Sequence, residues 1–177
     1  MAVHTETAVT AYTFNYSVLD DPASPGGTFA FGINNLGQIV GFYFDGSMNK
    51  HGFVYNNGAY TSLDDPAASN PNGTVATGIN DSGQIAGNIQ AASGSQGFLY
   101  SGGTFTAISS PSATRGTEVF GINNAGQVVG AYLDSSGRAH GFIYSGGTYT
   151  NLPDDPNGVQ TIPLGINNEG SNRGDLR

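Results

Sequence analysis

Paired carboxylates stand immediately before proline at Asp20-Asp21, Asp64-Asp65 and Asp154-Asp155, and the corresponding place between the last two reads Ser109-Ser110. Clustered carboxylate oxygens can hold a hard cation such as calcium. Aspartate before a turn also caps it with its own side chain, which needs no metal. Asp45 in DGSMNKHG and Asp134 in DSSGRAHG open two further turn-like stretches and are the candidate calcium ligands, although neither stretch has the successive acidic ligands of an EF-hand loop. Calcium is therefore the one candidate ion, and no other cofactor is expected. His51 and His140 share a position that Gln96 fills in between. A zinc or catalytic role would need several ligands to converge there, whereas glutamine in place of histidine points to hydrogen bonding at a strand start.

Tyr55, Tyr100 and Tyr144 recur in step with Phe53, Phe98 and Phe142. Exposed, the tyrosines could stack on sugar rings while Asp64, Asp65, Asp154 and Asp155 supply hydrogen bonds. Buried, they are core. With no cysteine, thiolate catalysis, disulfides and cysteine-based zinc sites are excluded. No G-x-S-x-G, Walker or dinucleotide-binding spacing occurs, so the expectation is a protein that is not an enzyme.

The charge balance narrows the partners. Five Lys and Arg against 13 Asp and Glu leave a net charge of −8. Nucleic acid needs a basic face, and so does an anionic membrane surface, so neither is an expected partner. No window is long and apolar enough to insert in a membrane. The N-terminal MAVHTETAVTAYTF lacks the basic and apolar regions of a classical signal peptide.

These residues are carried on a repeat. GIN begins at Gly32, Gly78, Gly121 and Gly165, at spacings of 46, 43 and 44. HGFVY, QGFLY and HGFIY recur in phase with it, and so do YTSLDDP and its relatives. Each unit reads as four short strands. Strand a (TFAFGIN, 28–34) alternates Phe29, Phe31 and Ile33 with Thr28, Ala30 and Gly32, which predicts one apolar face. Gly32, Gly78, Gly121 and Gly165 are read as sites of close backbone approach. Asn34, Asn80, Asn123 and Asn167 open a tight Asn-x-x-Gly turn. Strand b (37–44) is apolar on both faces, so the sheet should be covered on both sides. Strand c is HGFVY and strand d is AYTSL.

The chain then divides into a first strand d at 11–22, repeats at 23–66, 67–111 and 112–156, a partial repeat at 157–170 and a tail at 171–177. The expected fold is all-β: a small β-propeller of about four blades of roughly 44 residues, the last incomplete. The alternatives are a β-trefoil-like fold or a propeller completed by a second chain. An incomplete sheet exposes edges that recruit partners, so self-assembly by strand complementation into an oligomer or fibre is expected.

The pattern G-I-N-N-x-G-Q-I-V-G-x-Y followed by H-G-F-x-Y-x-x-G-x-Y-T-x-L-D-x-P resembles the HAF-type extracellular repeat of bacteria, over nearly the whole chain. The resemblance implies a bacterial source, a propeller-like fold and an extracellular or cell-surface location. It implies no reaction. The functional expectation is a structural or interaction protein whose partner is itself. The alternative is a carbohydrate-binding module with one weak glycan site per repeat, gaining by avidity.

Overall fold

Each GIN motif lies at the end of a strand, and each closing Gly of GQIVG on the strand that pairs with it. In the computed structural model, residues 18–69, 72–92, 94–154, 156, 160–169 and 172–173 are described. Unit 1 holds β1 (Thr28–Ile33), β2 (Ile39–Phe44), β3 (Lys50–Asn56) and β4 (Ala59–Leu63). Unit 2 holds β5 (Thr74–Ile79), β6 (Ile85–Ala91), β7 (Gly94–Ser101) and β8 (Thr104–Ile108). Unit 3 holds β9 (Thr117–Ile122), β10 (Val128–Leu133), β11 (Ala139–Ser145) and β12 (Thr148–Asn151). Each unit is a four-stranded antiparallel sheet whose strands pair in sequence order. A two-stranded ladder of β13 (Gly165–Ile166) and β14 (Asn172–Arg173) follows. The described chain is all-β.

The a–b connection is a tight turn. Gly37 N–H donates to Asn34 O at 3.1 Å, and Gly37 sits at φ +75°, a conformation glycine adopts without strain. Strand b is enclosed on both faces as its composition predicts, with Val40, Gly41, Phe42 and Tyr43 all buried.

The single apolar face expected of strand a does not form. Phe29 pairs with Phe42 and Ile33 with Ile39, and the register slips between Ala30 and Gly32. The extra residue, Phe31, is a β-bulge, and one extra residue reverses the face of everything beyond it. Phe29 and Ile33 therefore point to opposite sides. The bulge recurs in units 2 and 3, where Thr77 and Phe120 are bypassed. Opposite each bulge stands the last glycine of GQIVG: a Cβ on Gly41, Gly87 or Gly130 would collide with the carbonyl oxygen of Phe29, Val75 or Glu118.

One further expectation changes. The first strand d lies partly outside the described residues, and over 18–22 the chain is not in a strand. The tail supplies Asn172 and Arg173 to β14.

The sheets stack face to face, β2 on β5 and β6 on β9. Val40 and Leu63 of unit 1 meet Ala76, Ile79, Ile85, Ile89 and Phe98 of unit 2. One step on, Ala86 and Ile108 of unit 2 meet Val119, Val128, Tyr132, Phe142 and Tyr144 of unit 3. The same repeat positions build both interfaces, so the sequence repeat is a packing repeat. Burying a phenylalanine such as Phe98 contributes about 1.5–3 kcal/mol. The strands β1, β5, β9 and β13 border an open space of about 610 Å³.

Candidate functional site

Two regions gather polar side chains: the turns at the outer ends of the sheets, and the inner turns that follow GIN.

At the outer end of unit 1 the chain leaves β2 through a turn capped by Asp45. Its Oδ1 accepts from Ser47 N and Asn49 N, both at 2.8 Å, and its Oδ2 accepts from Asn49 Nδ2 at 3.0 Å. These bonds, the Asn49 amide foremost, pull the Asp45 carboxyl down to about 2. His51, at the start of β3, places Nε2 3.3 Å from Asp45 Oδ2. Its Nδ1 lies 3.1 Å from both oxygens of Asp64, just past β4. Tyr43 of β2 stacks on the imidazole at 5.2 Å and 23°. Its hydroxyl meets Ser62 Oγ at 3.0 Å.

Unit 3 builds the same cluster. His140 Nε2 is 3.1 Å from Asp134 Oδ2, and Nδ1 is 3.0 and 3.2 Å from the two oxygens of Asp154. Tyr132 stacks on the ring at 5.2 Å. Asp134 caps its turn through Ser136 and the Arg138 amide. The Ser136 hydroxyl first, then His140, holds the Asp134 carboxyl well below the usual carboxylate range. Unit 2 lacks the whole set: register places Ile89 opposite Gln96, Ala91 follows two residues on, and Gln96 Nε2 donates to Ser109 Oγ at 2.9 Å.

The aspartates of a pair thus serve different ends. Asp64 and Asp154, the first of their pairs, meet histidine. The second caps the next turn: Asp65 Oδ1 accepts from Ala67 N at 2.8 Å, and Asp65 N donates to Thr74 Oγ1 at 2.9 Å. Asp21 and Ser110 do the same with Thr28 and Thr117. Asp155 lies outside the described residues. Among the described residues, no three His, Cys, Asp or Glu side chains are grouped so as to hold a metal ion. Asp45 and Asp134, the candidate calcium ligands, each engage turn amides and a histidine. With both ring nitrogens facing carboxylates, neither histidine has a nitrogen turned to a substrate.

The tyrosines pack across strands. Tyr55 meets Tyr60 at 4.9 Å, Tyr100 meets Phe105 at 4.8 Å and Tyr144 meets Tyr149 at 5.0 Å. Tyr144 is buried in the core between units 2 and 3, and Tyr100 packs on the core between units 1 and 2. Tyr55 lies four residues along β3 from His51, roughly 13 Å at strand rise. The fold does not bring the tyrosines to the aspartates.

The inner turns form a ladder that crosses units. Asn34 Oδ1 accepts from Leu36 N and Gln38 N, each at 3.0 Å, while its Nδ2 donates to Asn80 O of unit 2 at 3.0 Å. Asn80 repeats this toward Asn123 O at 3.0 Å, and Asn123 toward Asn167 O at 3.1 Å. A second ladder runs beside it, from Asn35 N to Asp81 Oδ1, Asp81 N to Asn124 Oδ1 and Asn124 N to Asn168 Oδ1. The side-chain bond from Asn35 is the main cause that lowers the Asp81 pKa. The glycines follow the same path: a Cβ on Gly32 would come within 2.9 Å of Gly78 Cα, one on Gly78 within 3.5 Å of Gly121 Cα, and one on Gly121 within 3.5 Å of Gly165 Cα. The sequence marked these asparagines as turn residues and missed their second role. The signal was there in the next position, which reads Asn35, Asp81, Asn124, Asn168.

No family model matches the chain, and no curated protein matches it. Among solved structures, the chain is similar to a fucose lectin from Kordia zhangzhouensis in complex with methyl-fucoside, at 12% identity over 72% of this chain and 99% of the lectin, with a TM-score of 0.44. A likeness at that level carries neither fold nor ligand across.

Proposed function

We propose that this chain is a non-catalytic interaction protein of β-propeller type, its sheets serving as blades, that associates head to tail with a second copy of itself. The observation that carries the reading is a pair of equivalent isoleucines. Ile79 is 7% exposed because unit 1 covers it, whereas Ile33, at the same repeat position, is 67% exposed. Phe31 beside it is 56% exposed. At the other end, Leu164 is 72% exposed, and among the described residues nothing lies within 4 Å of a Cβ built on Gly165. Gly32, Gly78 and Gly121 each abut the glycine of the following unit. Gly165 opens onto the place where a following unit would sit, and Ile33 turns to the place where a preceding one would. The repeat itself makes these two ends complementary, and a head-to-tail contact of this kind closes into a ring or grows into a filament. The proposal includes the extracellular setting that the repeat resemblance implies.

A disulfide trap tests it, because the chain has no cysteine of its own. One preparation carries Ile33→Cys and the other Leu164→Cys. Mixed and oxidised, they should give a covalent heterodimer at micromolar concentration, with far less from either alone. Absence of the heterodimer would overturn the reading. A monomer that binds on a glycan array would replace it with the carbohydrate-binding one.

A further inference from the structure

We propose that Asp45, His51 and Asp64 form a proton-dependent latch: the protonated ring ties the β2–β3 turn to the end of β4, and loss of its proton releases one of the two contacts. The number of N–H donors on the ring sets how many carboxylates it can hold. Carboxylates offer only lone pairs, and a neutral imidazole has one N–H and one lone pair. His51 has carboxylate oxygen at 3.1 Å from Nδ1 and at 3.3 Å from Nε2. In the neutral ring, one nitrogen lone pair would face a carboxylate lone pair. Only the imidazolium donates on both sides.

The surroundings agree. Tyr43 covers one face of the ring and Ser62 holds the Tyr43 hydroxyl. The neighbouring Lys50 places its ammonium 5.3 Å over the Phe42 ring, on the other face of the sheet. Asp65 is turned into its own cap, and Asp20 and Asp21 act on Tyr60 of β4. Among the described residues, the charges facing His51 are therefore the two aspartates. Burial works against the charged ring, but the bonds and charges of Asp64 and Asp45 outweigh it and raise His51 above its ordinary value.

The molecule contains its own control. In unit 2, Gln96 and Ser109 make the equivalent link between the same two strands with groups that do not titrate. The sheet folds with either version, and the histidine comes and goes together with its aspartates and tyrosine. A fixed structural link would be served by the neutral pair. The latch stands independently of the self-association proposed above.

The test transfers the unit 2 pair into unit 1 as His51→Gln with Asp64→Ser. In the unaltered protein, the imidazole of His51 followed by NMR should titrate above pH 6.5, with both ring nitrogens in the protonated range at pH 6. The melting temperature should fall by about 2–4 °C between pH 6 and pH 8.5. The double variant should lose the part of that fall that His51 carries, while matching the unaltered protein near pH 8.5. A His51 that titrates at or below 6.5, or a pH dependence the variant leaves unchanged, would overturn the latch.

Discussion

The inner and outer turns of the same sheets follow opposite rules. The inner turn keeps Asn34, Asn80, Asn123 and Asn167 in every unit. The outer turn carries the aspartate–histidine cluster in units 1 and 3 and drops it in unit 2. Asn34, Asn80 and Asn123 each act for two units, since each closes its own turn and donates to the backbone of the next. Changing one leaves two amides of its own turn without an acceptor and takes one of two donors from a carbonyl in its neighbour. Each outer cluster closes within one sheet, so it can be exchanged as a set without disturbing what lies beside it. The asparagine that closes its own turn and links units keeps one identity, whereas the cluster that links strands within a unit varies.

The largest expected effect comes from breaking the inner ladder. Asn80→Ala removes the acceptor for Ser82 N and Gln84 N and the donor to the buried Asn123 carbonyl. It should cost about 2–3 kcal/mol, read as a shift in the denaturation midpoint. The more exposed second ladder should cost less: Asn124→Ala loses one bond to Asp81 N and one to Asp81 Oδ2, and about 1 kcal/mol is expected. An equal loss at the two positions would remove the distinction between them.

The outer clusters should show themselves in pH more than in overall stability. Asp45 sits at about 2, below the ordinary carboxylate value, so its contribution is complete above about pH 4 and fades as pH falls toward 2. His51 is raised, so its contribution is complete below about pH 6.5 and fades as pH rises through its folded value. Thermal melts across pH should therefore peak between about pH 4 and pH 6.5. Exchanging His140→Gln with Asp154→Ser should change stability at pH 7 by less than about 1 kcal/mol, because the pair is partly exposed.

Much of the architecture was legible because repetition multiplies weak signals. Four-strand units and the Asn-x-x-Gly turns follow from period-two alternation and turn residues, and β4 falls on 59–63 as read. The bulge at Phe31 was not legible, because one inserted residue leaves the alternation of TFAFGI intact on paper while reversing it in space. The site was read in part. The aspartate pairs were recognised as turn chemistry, and Asp65 acts that way. The partner of Asp64 is His51, 13 residues away, and β3–β4 pairing alone brings them together. Only the joint replacement of Tyr43, Asp45, His51 and Asp64 in unit 2 could have announced it.

Ile33 and Gly165 are proposed as two halves of one contact. Light scattering after size exclusion, over a hundredfold range of concentration, tests that contact. The account predicts a mass that rises from 18.2 kDa to twice that value or beyond, and that Ile33→Asp returns it to the monomer without loss of fold. A mass fixed at 18.2 kDa over the whole range would contradict it.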